Sequence, residues 1–241
     1  MPTDKAHILA QLQKEILPLQ GLKANTINNP VDVGFGKIRY AFPNHQFPLG
    51  AIHEFICQNR EQASVSGGFA SALVSALISN HAALWISSSR HTYPPALKMF
   101  GLQPHHVVFI NVERKKDLLS VIEEALRCQS VGAVIADAPD MNFKESRRFQ
   151  LAVEESGVTG FLLRHQPKNL STACVTRWSI QASPSYPIEG LPGIGYPRWK
   201  LELLKVRNGR PGKWEVEWID QKFQLVQQPS TRNIDQHKRT G

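Results

Sequence analysis

The stretch Phe47-Pro48-Leu49-Gly50-Ala51-Ile52-His53-Glu54-Phe55-Ile56, continued by Cys57 to Val65 and then Ser66-Gly67-Gly68-Phe69, decides how the chain is read. It predicts a tight entry turn, an apolar strand over Ala51–Ile56, a polar loop, and a helix opened by Ser66-Gly67-Gly68. Phe69, Leu73 and Leu77 recur every four residues, which sets them on one face of that helix. A strand, a glycine-bearing loop and a helix N-terminus together make a phosphate-binding geometry, because free backbone N–H groups converge there on an anion. A working loop reads G-x-x-x-x-G-K-[ST], with lysine for the phosphates and a hydroxyl for magnesium. With Gly67 as the second glycine, Gln62 stands at the first, Gly68 at the lysine and Phe69 at the hydroxyl. Each such charged contact contributes roughly 1.5–3 kcal/mol. Losing two takes a micromolar nucleotide site to about millimolar or weaker. The expectation is a degenerate loop that holds no cofactor. The same residues also read as an ordinary strand-loop-helix of an α/β protein that never bound nucleotide.

Outward from this stretch, apolar strands alternate with amphipathic helices. Strands are predicted at Ala83–Ile86, Val107–Ile110, Val131–Ala136 (ending in Asp137) and Thr159–Leu163, and helices at Pro94–Phe100, Asp117–Cys128 and Lys144–Ser156. In the helix over Asp117–Cys128, Leu118, Val121, Ile122 and Ala125 form the apolar face. This alternation implies an α/β fold with a mostly parallel sheet covered by helices. After it come strands alone: Cys174–Ile180, then Arg198–Val206 and Lys213–Ile219, the last two as an antiparallel hairpin across Asn208–Gly212. Before the core, Asp4 caps a helix with an apolar stripe at Ile8, Leu12 and Ile16, and Ala24–Gly36 reads as a linker. The expected division is 1–42 for helix and linker, 43–219 for the core domain and 220–241 for a flexible tail.

Charge is uneven. Residues 1–163 hold 15 Lys+Arg against 14 Asp+Glu, whereas residues 164–241 hold 13 against 6. Trp178, Trp199, Trp214 and Trp218 also lie in this basic part. Cations interleaved with aromatics can bind nucleic acid, whereas tryptophans at strand spacing are more often core or cross-strand pairs. The candidate contact residues for a partner or DNA are Arg198, Lys200, Lys205, Arg207, Arg210 and Lys213. Strand alternation would divide them between faces, with Arg198 and Lys200 apart from Lys205 and Arg207. The three cysteines form no ligand motif and suit a reducing compartment. No stretch reaches the ~18 apolar residues of a membrane span, and no apolar signal core leads the chain. Those features make it a cytoplasmic protein without metal. His105-His106 reads as a solvated pair.

The order of pieces resembles the RecA core. Phe47–Phe55 resembles its entry, Leu84–Leu102 its next strand and helix, Val131–Asp137 its Walker B strand, and Leu203–Arg207 with Pro211 its late strands. Within that superfamily the chain is similar to the ImuA group, RecA-like accessory proteins of the bacterial mutagenic repair cassette. Gly50–Phe55, Gly68–Ala70, Thr159–Arg164, Thr176–Trp178, Pro197–Leu204 and Gly209–Trp218 carry that likeness. The position of the superfamily's activating glutamate is Ser89, and a hydroxyl cannot act as the base that orients water. Asp137 remains at the Walker B position, but without lysine, hydroxyl and base it reads rather as a cap of the loop after a buried strand. The resemblance therefore implies no enzyme but an adaptor for damage-induced translesion synthesis. Its implied partners are a Y-family-like polymerase homologue, an error-prone polymerase of the same cassette and RecA. Weak nonspecific DNA binding and self-association through Ile8, Leu12 and Ile16 are further expectations. The alternative is a SulA-like SOS inhibitor of cell division, which also works by protein binding.

Overall fold

A computed structural model describes residues 33–78, 81–89, 92–185 and 195–226. The stripe at Ile8, Leu12 and Ile16 lies outside them. The strands are β1 (Ile52–Cys57), β2 (Ala82–Ser87), β3 (Val107–Asn111), β4 (Val131–Ala138), β5 (Thr159–His165), β6 (Thr176–Ser183), β7 (Arg198–Val206), β8 (Gly212–Ile219) and β9 (Lys222–Leu225). They form one sheet in the order β3-β2-β4-β5-β1-β6-β7-β8-β9. Pairings from β3 through β6 are parallel, and those from β6 through β9 are antiparallel. Helices α1 (Arg60–Leu77), α2 (Leu118–Arg127) and α3 (Phe143–Ser156) cover it. The fold is thus α/β, with a mostly parallel sheet flanked by helices and antiparallel strands at its C-terminal end.

Alternation along each strand sends side chains to two cores. Ile52, Ile86, Val134, Ala136 and Leu162 pack beneath α2 and α3. Phe55, Trp85, Ile135, Phe161, Trp178, Ile180, Trp199 and Leu201 pack on α1. All nine residues from Ser66 to Val74 are buried, so α1 is enclosed on every side rather than laid on a surface. Phe69 is the hub, with ring centroids 6.0 Å from Phe35, 5.9 Å from Trp178, 5.9 Å from Trp199 and 4.9 Å from Phe223. Three tryptophans of the basic part, Trp178, Trp199 and Trp218, are buried in this core. Their faces are closed to bases.

The opening of α1 corrects the sequence reading. The helix begins at Arg60, two turns before Ser66-Gly67-Gly68, and only Gln58 and Asn59 separate it from β1. Asn59 Oδ1 accepts from Gln62 N at 2.8 Å, a strong N-cap that ends the loop early. The glycines answer to packing. A Cβ on Gly68 would sit 2.7 Å from Phe100 Cζ, and one on Gly67 would sit 3.3 Å from Trp85 Cη2. Small residues let two rings approach a buried helix from two directions.

The core is also longer than 43–219. Val33, Phe35, Ile38, Ala41 and Phe42 are buried in the part read as linker, and Phe223 of β9 is buried in the part read as tail. Asp220 and Gln221 join β8 to β9 with φ of 49° and 58°. Two left-handed residues make a hairpin turn of the type that glycine usually marks, and no glycine marks it here.

His53 is fully buried on β1. Its Nδ1 lies 2.7 Å from Thr176 Oγ1 and its Nε2 lies 2.9 Å from Pro48 O, while Trp178 Nε1 donates to the same hydroxyl at 2.9 Å. The carbonyl accepts from Nε2–H, so Nδ1 accepts from the threonine and the ring is neutral. Burial pushes its pKa from 6.5 down to about 3. Below 6.5 the unfolded chain takes up a proton that the folded one refuses, so this contribution to stability falls with pH until about 3. The slope is about 1.4 kcal/mol per pH unit for one group. Urea unfolding of the wild type should lose more stability between pH 6.5 and 5 than a His53→Gln variant, by about 2 kcal/mol. Gly68→Ala should cost about 1–3 kcal/mol by overpacking against Phe100, read from the same urea midpoints.

Candidate functional site

In open α/β sheets, ligands bind beyond the carboxyl ends of the parallel strands. Here that edge begins with Cys57, Gln58 and Asn59. Asn59 accepts from Gln62 N, and Gln62 Oε1 in return accepts from Gln58 N at 2.7 Å. Gln62 N, one of the first backbone donors of α1, is thus met by the chain's own Asn59 side chain, where an anion would need it open. Ser66, Gly67, Gly68 and Phe69 lie inside the helix and face packed side chains. Asp137, one residue before the end of β4, pairs with His165 Nε2 at 3.4 Å, a contact that raises the imidazole pKa. Ser89 donates its backbone N–H to Ser87 Oγ at 2.9 Å. Among the described residues, the positions of the loop's lysine and hydroxyl are Gly68 and Phe69, both buried inside α1, and they do not fit a magnesium-bound nucleoside triphosphate. Burial pushes the nearby Cys57 thiol up to about 11, which keeps it an unreactive thiol. No group of three or more His, Cys, Asp or Glu among the described residues could hold a metal.

Charge gathers instead beneath α3. Glu54 is fully buried on β1 and receives Arg164 Nη1 at 3.1 Å on one oxygen and Arg177 Nε at 2.9 Å on the other. Cys174 Sγ also donates to Glu54 at 3.1 Å. Burial first, and the carboxylate second, push that thiol up to about 11. The outer nitrogens of the two arginines turn to a single loop. Arg164 Nη2 donates to Asn169 O at 2.8 Å, and Arg177 Nη2 donates to Leu170 O. Lys205 Nζ donates to Thr172 O at 2.9 Å and Arg207 Nη2 to Ala173 O at 2.8 Å. Four cations therefore hold four carbonyls of the loop over residues 169–173. Burial lowers the pKa of Arg207, the expected direction for a cation drawn out of water.

Lys205 and Arg207 reach this loop because of a shift in register. Arg177 pairs with Lys205, yet Trp178 pairs with Leu203, so Leu204 is an extra residue in β7. A bulge reverses the alternation beyond it. Lys205 and Arg207 come to the face that carries Arg198 and Lys200, whereas simple alternation divides the four. On that face β7 and β8 oppose Arg198 to Glu217, Lys200 to Glu215 and Glu202 to Lys213. Arg198 lies 3.2 Å from Glu215, and Lys213 lies 2.8 Å from Glu202. Arg210 is exposed in the hairpin loop. The structure thus brings five of the six basic candidates to one face. There three of them face three glutamates and two hold the loop, an arrangement poorly suited to following a phosphate backbone.

Glu54 is the residue that sequence reasoning missed. Its signal was present, since a carboxylate in the middle of an apolar strand must find partners. Glu54→Gln leaves the buried Arg164 and the partly buried Arg177 without their shared anion. Removing one member of a buried pair commonly costs about 3–5 kcal/mol, and urea unfolding should show a loss of that order.

Comparison with known proteins sets a relationship beside this geometry. No family model matches the chain. Protein ImuA of Caulobacter vibrioides strain NA1000 / CB15N is 29% identical over 212 residues, covering 81% of this chain and 87% of the relative. Protein ImuA of strain ATCC 19089 / CIP 103742 / CB 15 gives the same figures. The chain is a homologue of Protein ImuA.

Proposed function

We propose that the protein is a non-catalytic adaptor in error-prone DNA repair, acting in the cytoplasm on the polymerase components of a mutagenic repair cassette. Homology to Protein ImuA associates the chain with mutagenic repair. The observation that carries the non-catalytic part is the passage from β1 to α1. Only two residues bridge it, and the Asn59 side chain occupies Gln62 N, one of the donors that a phosphate would take. With no cradle for the triphosphate, activity of this fold falls back on what its surfaces bind. The partners in this reading are a Y-family-like polymerase homologue, an error-prone polymerase and RecA. DNA contributes weakly, because the outer face of β7 and β8 alternates cations with glutamates. Among the described residues, no helix is long and apolar enough to cross a membrane.

Two measurements test the reading. Calorimetry with ATP and magnesium should show no binding in the micromolar range; micromolar affinity or turnover above a heat-killed control would remove the non-catalytic assignment. Affinity capture of the tagged full-length protein from DNA-damaged cells should recover a polymerase. Recovery of the tubulin-like division protein in its place would move the assignment to inhibition of cell division.

A further inference from the structure

Strand β3 ends the sheet and is paired only with β2 among the described strands. Natural proteins guard such edges with charges, prolines or bulges, because the edge presents a row of open backbone N–H and C=O groups. Val107-Val108-Phe109-Ile110-Asn111 carries no charge and no proline, and its ladder to β2 is unbroken. Val108 and Phe109 are 51% and 40% exposed. On the α1 side of the sheet, Phe109 stacks on Trp85 with centroids 6.4 Å apart. A crevice of about 360 Å³ opens there, lined by Trp85, Ser87, Ser89, Pro94, Phe109 and Asn111. Its size and its apolar walls with a few polar groups suit a bound side chain or small ligand. Trp85 is only 5% exposed, and its Nε1–H has no acceptor among the described residues. A buried indole N–H normally finds one. Just past the strand, Arg114 pairs with Asp117 at 2.7 Å, and exposed Lys115 and Lys116 stand against Glu113.

We propose that the β3 edge and the Trp85–Phe109 crevice dock an extended, acidic segment of a partner protein. The segment adds to the sheet as a strand, so successive side chains point to opposite faces. One apolar side chain enters the crevice beside Trp85, and its neighbours lie over Val108. Acidic residues flanking it meet Lys115 and Lys116. The chain's own charge of +8 makes a second copy a poorer match to that basic flank. This gives the adaptor reading a surface, and it rests on that reading only for the kind of protein that supplies the segment.

The test uses the full-length protein and a fluorescein-labelled decapeptide in which aspartate alternates with valine around one central phenylalanine. Fluorescence polarisation should detect binding, and hydrogen exchange should show Val108–Asn111 amides protected when the peptide is present. Phe109→Glu, and Phe109→Ala as the milder change, should each weaken binding about tenfold or more. The double change Lys115→Glu with Lys116→Glu should do the same. Unaltered affinity in both Phe109 variants overturns the site, as does no binding at millimolar peptide. Equal binding of the peptide with lysine in place of aspartate overturns the acidic assignment. A concentration-dependent doubling of mass that protects β3 without peptide assigns the edge to a second copy and also overturns the proposal. Peptide binding without polymerase capture keeps the edge and removes the partner class; capture without peptide binding leaves the adaptor reading on another surface.

Discussion

The enclosure of α1 is the constraint on which the remainder of the molecule depends. Phe69 touches rings from the segment before β1, from β6 and β7, and from β9. A flat parallel sheet covers only one side of a helix, and here the antiparallel strands β7–β9 continue the sheet until Phe223 meets the helix from a further direction. Trp218 of β8 closes the remaining side by donating Nε1–H to Met99 O at 2.8 Å. Small residues at 66–68 and 70–72 are the complement of that enclosure, because close-packed interiors admit no spare methyl group. A helix so enclosed has no open N-terminal glycine loop to offer a ligand. The same packing that stabilises the fold turns Gly67 and Gly68 toward Trp85 and Phe100.

Electrostatics follows a parallel logic on the opposite face. Charged donors form stronger hydrogen bonds than neutral ones, and four of them converge on carbonyls of the loop at 169–173. Glu54 holds two of those donors in place from below. The basic excess of the C-terminal part is thus spent largely on internal order, with Arg198, Lys200 and Lys213 set against glutamates across the ladder. Net charge read from composition says nothing of this allocation.

Most of the architecture was legible because buried parallel strands are continuous apolar runs, and Val131–Ala136, Thr159–Leu163 and Arg198–Val206 were found within a few residues of their ends. The start of α1 was not, because glycine signals a turn and a close approach in the same way, and Gly67 and Gly68 serve the second. Asn59 followed three residues later by Gln62 was the competing cap signal. β9 was hidden by a turn at Asp220-Gln221 that lacks glycine. The destinations of Lys205 and Arg207 depend on a bulge at Leu204 and on backbone carbonyls, and neither leaves a mark in residue type. That Ser66, Gly67 and Gly68 lie inside the helix rather than opening it was not legible either.

Phe69 and Phe223 stand more than half the chain apart, which gives the enclosure of α1 a consequence for biosynthesis. On the ribosome the helix emerges early, and its last wall emerges only after residue 223. Through that interval an apolar helix is a ready client for chaperones and proteases, since long-range contacts must wait for loop closure. Chains that stall or are clipped before β9 keep that surface open and are the ones cleared, so cellular abundance of the protein becomes a readout of completed synthesis.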